Sequence, residues 1–402
     1  MAKLTVAVFF GGRSSEHDVS IVTGQQVLQS LDPDRFTTVP VYVALDGSWR
    51  SGPELTQRST FVPTKEKLAA LPKATVALGD PVGSKLRLQF GEKKLFGGNA
   101  RTTDVDFVIP AFHGRGGEDG AFQGLMESLE VPYLGAGVLG AAAAMDKVFT
   151  KQALSGLGVQ QLPCAVLNRP ASGFFMASED IAKAAQAQNL PLAFPICVKP
   201  AALGSSIGVH RVDDTESLAA AVSDTFRLTD KVMLEPFLDQ NTEYNVAVAK
   251  LPEGYVASDI ERPKHSAALL DFAEKYRSGS GGPKKSGFGG GEGMADLGRE
   301  IDPAELSDAE KAELRATAVK IAEGLRMAGV NRVDFIRAAG GGPILFNEIN
   351  TIPGSFAYYL WRGRGLNMTD LLSGLIDEAM SRYQRLPGEF DVPASAQLFP
   401  RK

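Results

Sequence analysis

An aspartate, a glutamate and an asparagine near the C-terminal end of the chain have the types and spacing of a hard-cation site. The stretch reads Arg332-Val-Asp334-Phe, a Gly-rich turn, then Phe346-Asn-Glu348-Ile-Asn350-Thr-Ile-Pro-Gly354. Both flanks of the turn are β-like. Alternate side chains of a strand share a face, so Glu348 and Asn350 point the same way, and pairing the flanks as a hairpin lets Asp334 join them. Three oxygen-bearing side chains with no His or Cys among them suit magnesium, whose usual setting is a nucleotide's phosphates.

Candidate phosphate ligands lie upstream. Lys199 ends an apolar strand, and Gly204-Ser205-Ser206-Ile-Gly208 follows between two strands. Glycines there let backbone N–H groups approach phosphate oxygens while the lysine supplies charge. A second lysine, Lys147, opens a helix after Met145-Asp146. No Walker A sequence occurs, so together with the carboxylate–Asn set these residues predict an ATP site of another kind. Gly135-Ala-Gly137-Val-Leu-Gly140 matches the dinucleotide fingerprint, but the acidic residue required about 20 positions on is missing; Gln160-Gln161-Leu162-Pro163 stands there instead. Those glycines are expected to permit close packing, not NAD binding.

The elements that must position these groups follow from the periodicity. At 402 residues the chain fits two or three domains. Leu4–Phe10, Thr38–Ala44 and Val105–Phe112 are apolar strands in βα alternation, which predicts an open, mostly parallel sheet with ligands at the strand C-termini. Ser14 or Ser15 is placed to cap a helix beginning near Glu16. Residues 47–104 have the look of inserted hairpins. One helix is expected over Ala141–Leu157, others near 178–188, after Ser307 and from Thr369, and a Gly-rich segment over 277–298 has the length and setting of an active-site lid. The division is then 1–142, an N-terminal α/β domain; 143–236, a small α+β domain; and 237–402, an α+β domain carrying the metal hairpin and the lid.

Composition narrows the partners. Net charge is -5, with 44% apolar and 22% charged residues and no basic block, which argues against nucleic acid and anionic membranes. The two cysteines, Cys164 and Cys197, sit in apolar runs and read as core residues of a reducing compartment. The N-terminus has no basic n-region and apolar h-region, and no run is long enough to span a membrane, so the cytoplasm is expected.

The order of motifs carries more than any one of them. Gly11-Gly12-x-Ser-x-Glu16-x-x-Val-Ser20 comes first, then His113-Gly-x-Gly-Gly-Glu118-Asp-Gly, Pro132-Tyr-x-Gly, Met145-Asp-Lys147, Lys199-Pro with Gly204-Ser-Ser, Lys275-Tyr276, and the Arg332 to Gly354 stretch. In this the chain resembles the D-alanine–D-alanine ligases of the ATP-grasp superfamily from residue 5 to about 380. The resemblance implies an α/β ATP-grasp fold in which ATP lies between domains with two Mg²⁺ or Mn²⁺ ions, and a ligase that feeds peptidoglycan synthesis. One D-alanine's carboxylate becomes an acyl phosphate, and the amine of a second D-alanine then displaces phosphate. Homodimers are usual among the relatives.

By the same resemblance Asp334, Glu348 and Asn350 would hold the metals, and Lys147, Lys199 and Ser206 would contact the nucleotide's phosphates. Lys275 would lie near the transferred phosphoryl group. Glu235 would contact adenine and Glu243 the ribose. Glu16 would bind the first substrate's ammonium, linked to Ser205 and Tyr276, with His113 nearby. Arg332 and the Gly354 N–H would stabilise the tetrahedral oxyanion. After Gly354, however, the chain reads Ser355-Phe356-Ala357-Tyr358-Tyr359, where the family pattern is Met-Thr-Ser-x-Ser. Tyr359 stands at the position of a serine that helps hold the second substrate's carboxylate. The acceptor pocket is therefore expected to differ in shape, which keeps D-lactate, D-serine or another acceptor, and a non-catalytic ATP-binding relative, as alternatives.

Overall fold

The computed structural model describes residues 3–57, 60, 61, 67, 70–77, 85–91, 101–263 and 298–384. Lys275, Tyr276 and all but the last residue of the expected lid lie outside them. In chain order the strands are β1 (Leu4–Gly11), β2 (Phe36–Val43), β3 (Trp49–Arg50), β4 (Ala74–Val76), β5 (Leu86–Phe90), β6 (Arg101–Val105), β7 (Phe107–Pro110), β8 (Ala165–Asn168), β9 (Ile196–Pro200), β10 (His210–Val212), β11 (Lys231–Pro236), β12 (Thr242–Leu251), β13 (Gly254–Pro263), β14 (Arg299–Ile301), β15 (Val330–Arg337) and β16 (Leu345–Asn350). The helices are α1 (His17–Ser30), α2 (Ala121–Ser128), α3 (Val138–Met145), α4 (Lys147–Ser155), α5 (Ser178–Ala187), α6 (Thr215–Phe226), α7 (Asp308–Gly324) and α8 (Met368–Gln384).

The strands form four sheets. The first, ordered β3-β2-β1-β7, pairs β1 in parallel with both β2 and β7, as the βα alternation predicts. The stretch 47–104 supplies β3 to it and builds, with Val105, the antiparallel sheet β4-β5-β6. The other two sheets, β10-β9-β11-β8 and β14-β13-β12-β15-β16, are antiparallel. The C-terminal end of the chain returns to the first sheet: Trp361, Leu371 and Leu375 share one core with Val6, Val8 and Phe10. Burying an indole and several leucines in this way, at about 1.5–3 kcal/mol per large side chain, fixes the segment after Gly354 against the N-terminal strands.

Three local expectations change. The continuous helix over Ala141–Leu157 is two helices, because Asp146 leaves helical geometry (φ -92°, ψ 102°) and caps α4 by accepting from the N–H groups of Val148 and Phe149. Neither Ser14 nor Ser15 caps α1. Glu16 is the N-cap residue, and the Ser14 hydroxyl accepts from the Glu16 N–H while donating to the His113 carbonyl. The strand expected over Val105–Phe112 is interrupted at Asp106, whose carboxylate accepts from Thr5 N. At Ser307 the cap is reciprocal, a capping box with Glu310. No helix among the described residues is long and apolar enough to cross a membrane.

Of the three glycines of the dinucleotide-like motif, Gly140 serves close packing, whereas a Cβ at Gly135 would meet nothing within 4 Å. A Cβ at Gly140 would stand 3.1 Å from the Met327 sulfur and 3.3 Å from the Leu325 carbonyl. The close approach of α3 to the 325–327 turn accounts for that glycine without a nucleotide.

Candidate active site

The hairpin assembles as its spacing predicts. Asp334 pairs with Glu348 and Arg332 with Asn350 across β15 and β16. Asn350 donates to Asp334 at 2.9 Å, and Arg332 grips the same carboxylate with two hydrogen bonds of 2.7 Å. Burial pushes the Asp334 carboxyl above the usual range, with Glu348 and Glu243 adding to the effect against the opposing pull of Arg332. Glu348 is paired with the Lys147 ammonium at 3.2 Å. Two adjacent carboxylates, each already drawing a cation, are the donor chemistry a divalent ion fits. Among the described residues no three of His, Cys, Asp and Glu come together as a metal set, so an ion here would take Asn350 as its third protein ligand.

Five separate stretches of the chain converge on one small cavity lined by Glu16, Gly114, Glu118, Lys147, Gly204, Glu348 and Asn350, among others. Glu16 reaches it from the start of α1, and the Ser205 hydroxyl donates to the Glu16 carboxylate across 189 residues of sequence. Ser205 and Ser206 both take left-handed backbone angles (φ 55° and 57°), which turn the loop back toward Glu16. Gly114, at φ 73°, lies so close to Glu16 that a Cβ there would come within 2.7 Å of its carboxylate; only glycine has both that angle and that space. Lys147, the first residue of α4, also donates to the Leu203 carbonyl at 2.7 Å, tying the helix to the Gly-Ser loop. A larger open groove of about 710 Å³ between α5 and α6, lined by Ala182, Lys183, Phe194 and Leu218 among others, contains none of the expected site residues.

Lys199 and Glu235 are buried and ion-paired diagonally across the antiparallel strands β9 and β11, where Lys199 faces Met233 and Glu235 faces Cys197. Burial favours a neutral Lys199, but Glu235 outweighs it and the ammonium is held well above its ordinary value. Glu243 faces Ile336 across β12 and β15, one alternation along from Asn245, which faces Asp334.

His113 is buried beside Thr23, its Nε2 2.8 Å from the Thr23 hydroxyl oxygen. Burial, with Arg332 nearby, lowers its pKa to about 4 despite a hydrogen bond to the Ile352 backbone, so the ring is neutral at pH 7. Thr23 in turn accepts from the Ser355 N–H at 3.1 Å. The segment after Gly354 is no ordinary helix: Ser355, Phe356 and Ala357 run consecutively through left-handed angles (φ 54°, 53° and 48°) before a right-handed turn resumes. Such backbone costs about 1–2 kcal/mol per non-glycine residue, and the buried Phe356 and Ala357 hold it in place. Tyr359 ends up donating to Glu261 at 3.0 Å, its ring beneath the Arg299 guanidinium at 4.0 Å, and Glu261 also pairs with Arg299 at 3.0 Å.

Four of these groups were not singled out in the sequence. Glu118 stands in the His113 motif, which by itself implies no role for it. Its carboxylate accepts from Gly114 N at 2.7 Å, Ile352 N at 2.9 Å and the Thr351 hydroxyl at 3.3 Å, clamping the 113–120 loop to the metal hairpin's exit. Lys151 lies one helical turn past Lys147, a spacing that could have revealed it, and its ammonium is 2.7 Å from Glu235. Glu261 and Arg299 carry no local signal.

The N-terminal D-ala D-ala ligase family model matches residues 5–136 and the C-terminal one residues 154–377. The chain belongs to the D-alanine–D-alanine ligase family. It is 35% identical over 398 residues to the D-alanine–D-alanine ligase of Rhodococcus erythropolis, covering 95% of this chain and 98% of that one. It is 32% identical over 395 residues to that of Staphylococcus epidermidis, covering 96% and 97%. Among solved structures, the D-alanine–D-alanine ligase from Coxiella burnetii superposes with a TM-score of 0.73 at 26% identity, covering 95% of both chains. The VanG D-Ala:D-Ser ligase from Enterococcus faecalis gives 0.73 at 25% identity, covering 94% of this chain and 100% of that one. The ATP-grasp architecture expected from the motifs is therefore that of this family member, and its enzyme class is an ATP-dependent ligase.

Proposed function

We propose that the chain joins two D-alanines into D-alanyl-D-alanine at the expense of ATP, supplying a precursor of peptidoglycan. The observation that carries this is the meeting of Glu16, Lys147, Glu348 and Asn350 around one cavity, where an ammonium-binding carboxylate faces a phosphate-binding lysine and metal-binding oxygens. Glu16, oriented by Ser205, takes the first substrate's ammonium. Lys147, Lys199 and Ser206 take the nucleotide's phosphates, and Glu235 and Glu243 its base and ribose. Asp334, Glu348 and Asn350 would hold two Mg²⁺ or Mn²⁺ ions, which when bound screen the repulsion between substrate carboxylate and triphosphate. Arg332 and the Gly354 N–H face the oxyanion that forms when the second amine attacks. Neutral His113, bonded through Thr23 to the Ser355 N–H, keeps the first substrate's wall and the Gly354 turn in register. Lys275 and Tyr276, which lie outside the described residues, keep only the roles the family resemblance implies, beside the transferred phosphoryl group and in the link to Glu16. The three-domain division at 142 and 236, a homodimeric assembly and a cytoplasmic location belong to the same reading.

The test is phosphate release and product mass spectrometry with ATP, Mg²⁺ and D-alanine alongside competing acceptors. D-Alanyl-D-alanine as the dominant product is expected. No phosphate above the amino-acid-free control refutes catalysis, and a mixed product with D-lactate or D-serine transfers the acceptor assignment to a pocket remodelled by Tyr359.

A further inference from the structure

Lys151, Glu235 and Lys199 form a buried set of two ammonium groups on one carboxylate. Lys151 is 2.7 Å from Glu235 Oε2 and donates at 3.1 Å to the Leu162 carbonyl, while Lys199 meets Oε1. All three side chains are nearly sealed from water, at 4%, 4% and 9% exposure. We propose that Lys151 is a positioning residue for nucleotide binding: by neutralising Glu235 from the far side, it leaves the Lys199 charge available to a phosphate.

The argument is one of charge. A lone Lys199–Glu235 pair would be neutral, each ion satisfied by the other, and would offer an incoming triphosphate little net attraction. Adding Lys151 brings the set to a net charge of +1. Buried charge is tolerated when it is paired, and the surplus is matched by an anion approaching Lys199, the more shallow of the two lysines. Lys151 cannot do this itself: it points away to the Leu162 carbonyl and lies deeper. The two α4 lysines thus divide the work, Lys147 reaching the metal hairpin and the Gly-Ser loop, Lys151 reaching Glu235. The proposal rests on the nucleotide reading above.

The test is calorimetric titration of the full chain, with Mg²⁺ and no D-alanine, by ADP and by adenosine. Lys151→Met keeps the aliphatic stem and removes the charge. It is expected to weaken ADP by about 10- to 100-fold, the loss of one charge-assisted contact, with adenosine changed by less than about threefold and Lys151→Arg restoring most of the ADP affinity. Equal loss for ADP and adenosine makes the role merely structural and overturns the proposal, as does unchanged ADP binding. Should Lys151→Met fail to fold, Lys151→Gln takes its place, and the double variant Lys151→Gln, Glu235→Gln removes both partner charges and returns the set to +1; a ratio of ADP to adenosine affinity no higher in the double variant than in Lys151→Gln then overturns the proposal. Wild-type protein that binds no ADP defeats the nucleotide reading itself, a different failure.

Discussion

Replacing Glu118 by glutamine should change how stability depends on pH. The Glu118 carboxyl is pushed from its ordinary 4.5 up to about 7, first by burial and then by the nearby Glu16 charge, and the three hydrogen bonds from Gly114, Ile352 and Thr351 only partly offset this. Below about pH 4.5 the group is protonated whether the chain is folded or unfolded. Between 4.5 and about 7 the folded chain binds the extra proton, so stability falls as pH rises, and above about 7 the loss is complete. At about 1.4 kcal/mol per pH step, the loss is on the order of 3 kcal/mol. For a 402-residue chain unfolding with about 2.1 cal/mol/K per residue, that is about 4 °C in Tm. Glutamine keeps an acceptor for Ile352 N but cannot ionise. Its fixed cost of about 1 kcal/mol for a lost hydrogen bond is the same at every pH and cancels when the difference from wild type is followed. Melting both proteins without ligands from pH 5 to pH 8.5 should show the variant gaining about 3 °C relative to wild type across that range, since part of the loss already falls below pH 5. Parallel Tm curves would refute the buried, proton-holding Glu118 and with it the clamp between the 113–120 loop and the hairpin exit.

Asp334→Asn should lower phosphate release by on the order of 100-fold and raise the Mg²⁺ concentration needed for half-maximal rate; an unaltered metal titration would remove Asp334 from the metal set. Ser205→Ala should raise the D-alanine requirement of the first site by about tenfold, the worth of a hydrogen bond to a charged group, with KM for ATP within about twofold in a coupled ADP assay. A shift confined to ATP would contradict the Glu16 contact. Gly24→Ala should cost at least about 1–3 kcal/mol, because its Cβ would lie 2.5 Å from the Phe10 Cβ; a Tm within about 1 °C of wild type would show that α1 can move off β1.

What the sequence discloses about this site is mostly local. Period-two spacing places Glu348 and Asn350 on one face, and pairing across a short turn adds Asp334. The break at Asp146 was readable in principle, since an Asx side chain before Lys147 is an N-cap signal, but the alanine-rich run before it reads as uninterrupted helix. Contacts made across the fold leave no local trace. Ser205 finds Glu16 over 189 residues and Glu118 finds Ile352 over 234; motif order implied the first, and nothing in the residues implied the second. Tyr359 was legible only as a departure from a pattern. That its hydroxyl is spent on Glu261 and its ring on Arg299 depends on β13 and β14 lying alongside.

The charges of the large sheet follow one rule. Glu261, Asn245, Asp334 and Glu348 are successive cross-strand partners on β13, β12, β15 and β16, forming a single row over one face. Directly opposed like charges destabilise a sheet, and the row avoids that in two ways. Asn245 separates Glu261 from the other two carboxylates, and every carboxylate has a side-chain cation of its own: Arg299 on Glu261, Arg332 on Asp334 and Lys147 on Glu348. Two of those cations, Arg332 and Lys147, are the ones assigned to the oxyanion and the phosphates. A divalent ion on Asp334 and Glu348 would take over their counter-charge and leave both free to meet incoming anions. Metal and nucleotide would then assist one another by more than mutual screening, because the ion releases the very groups the nucleotide needs.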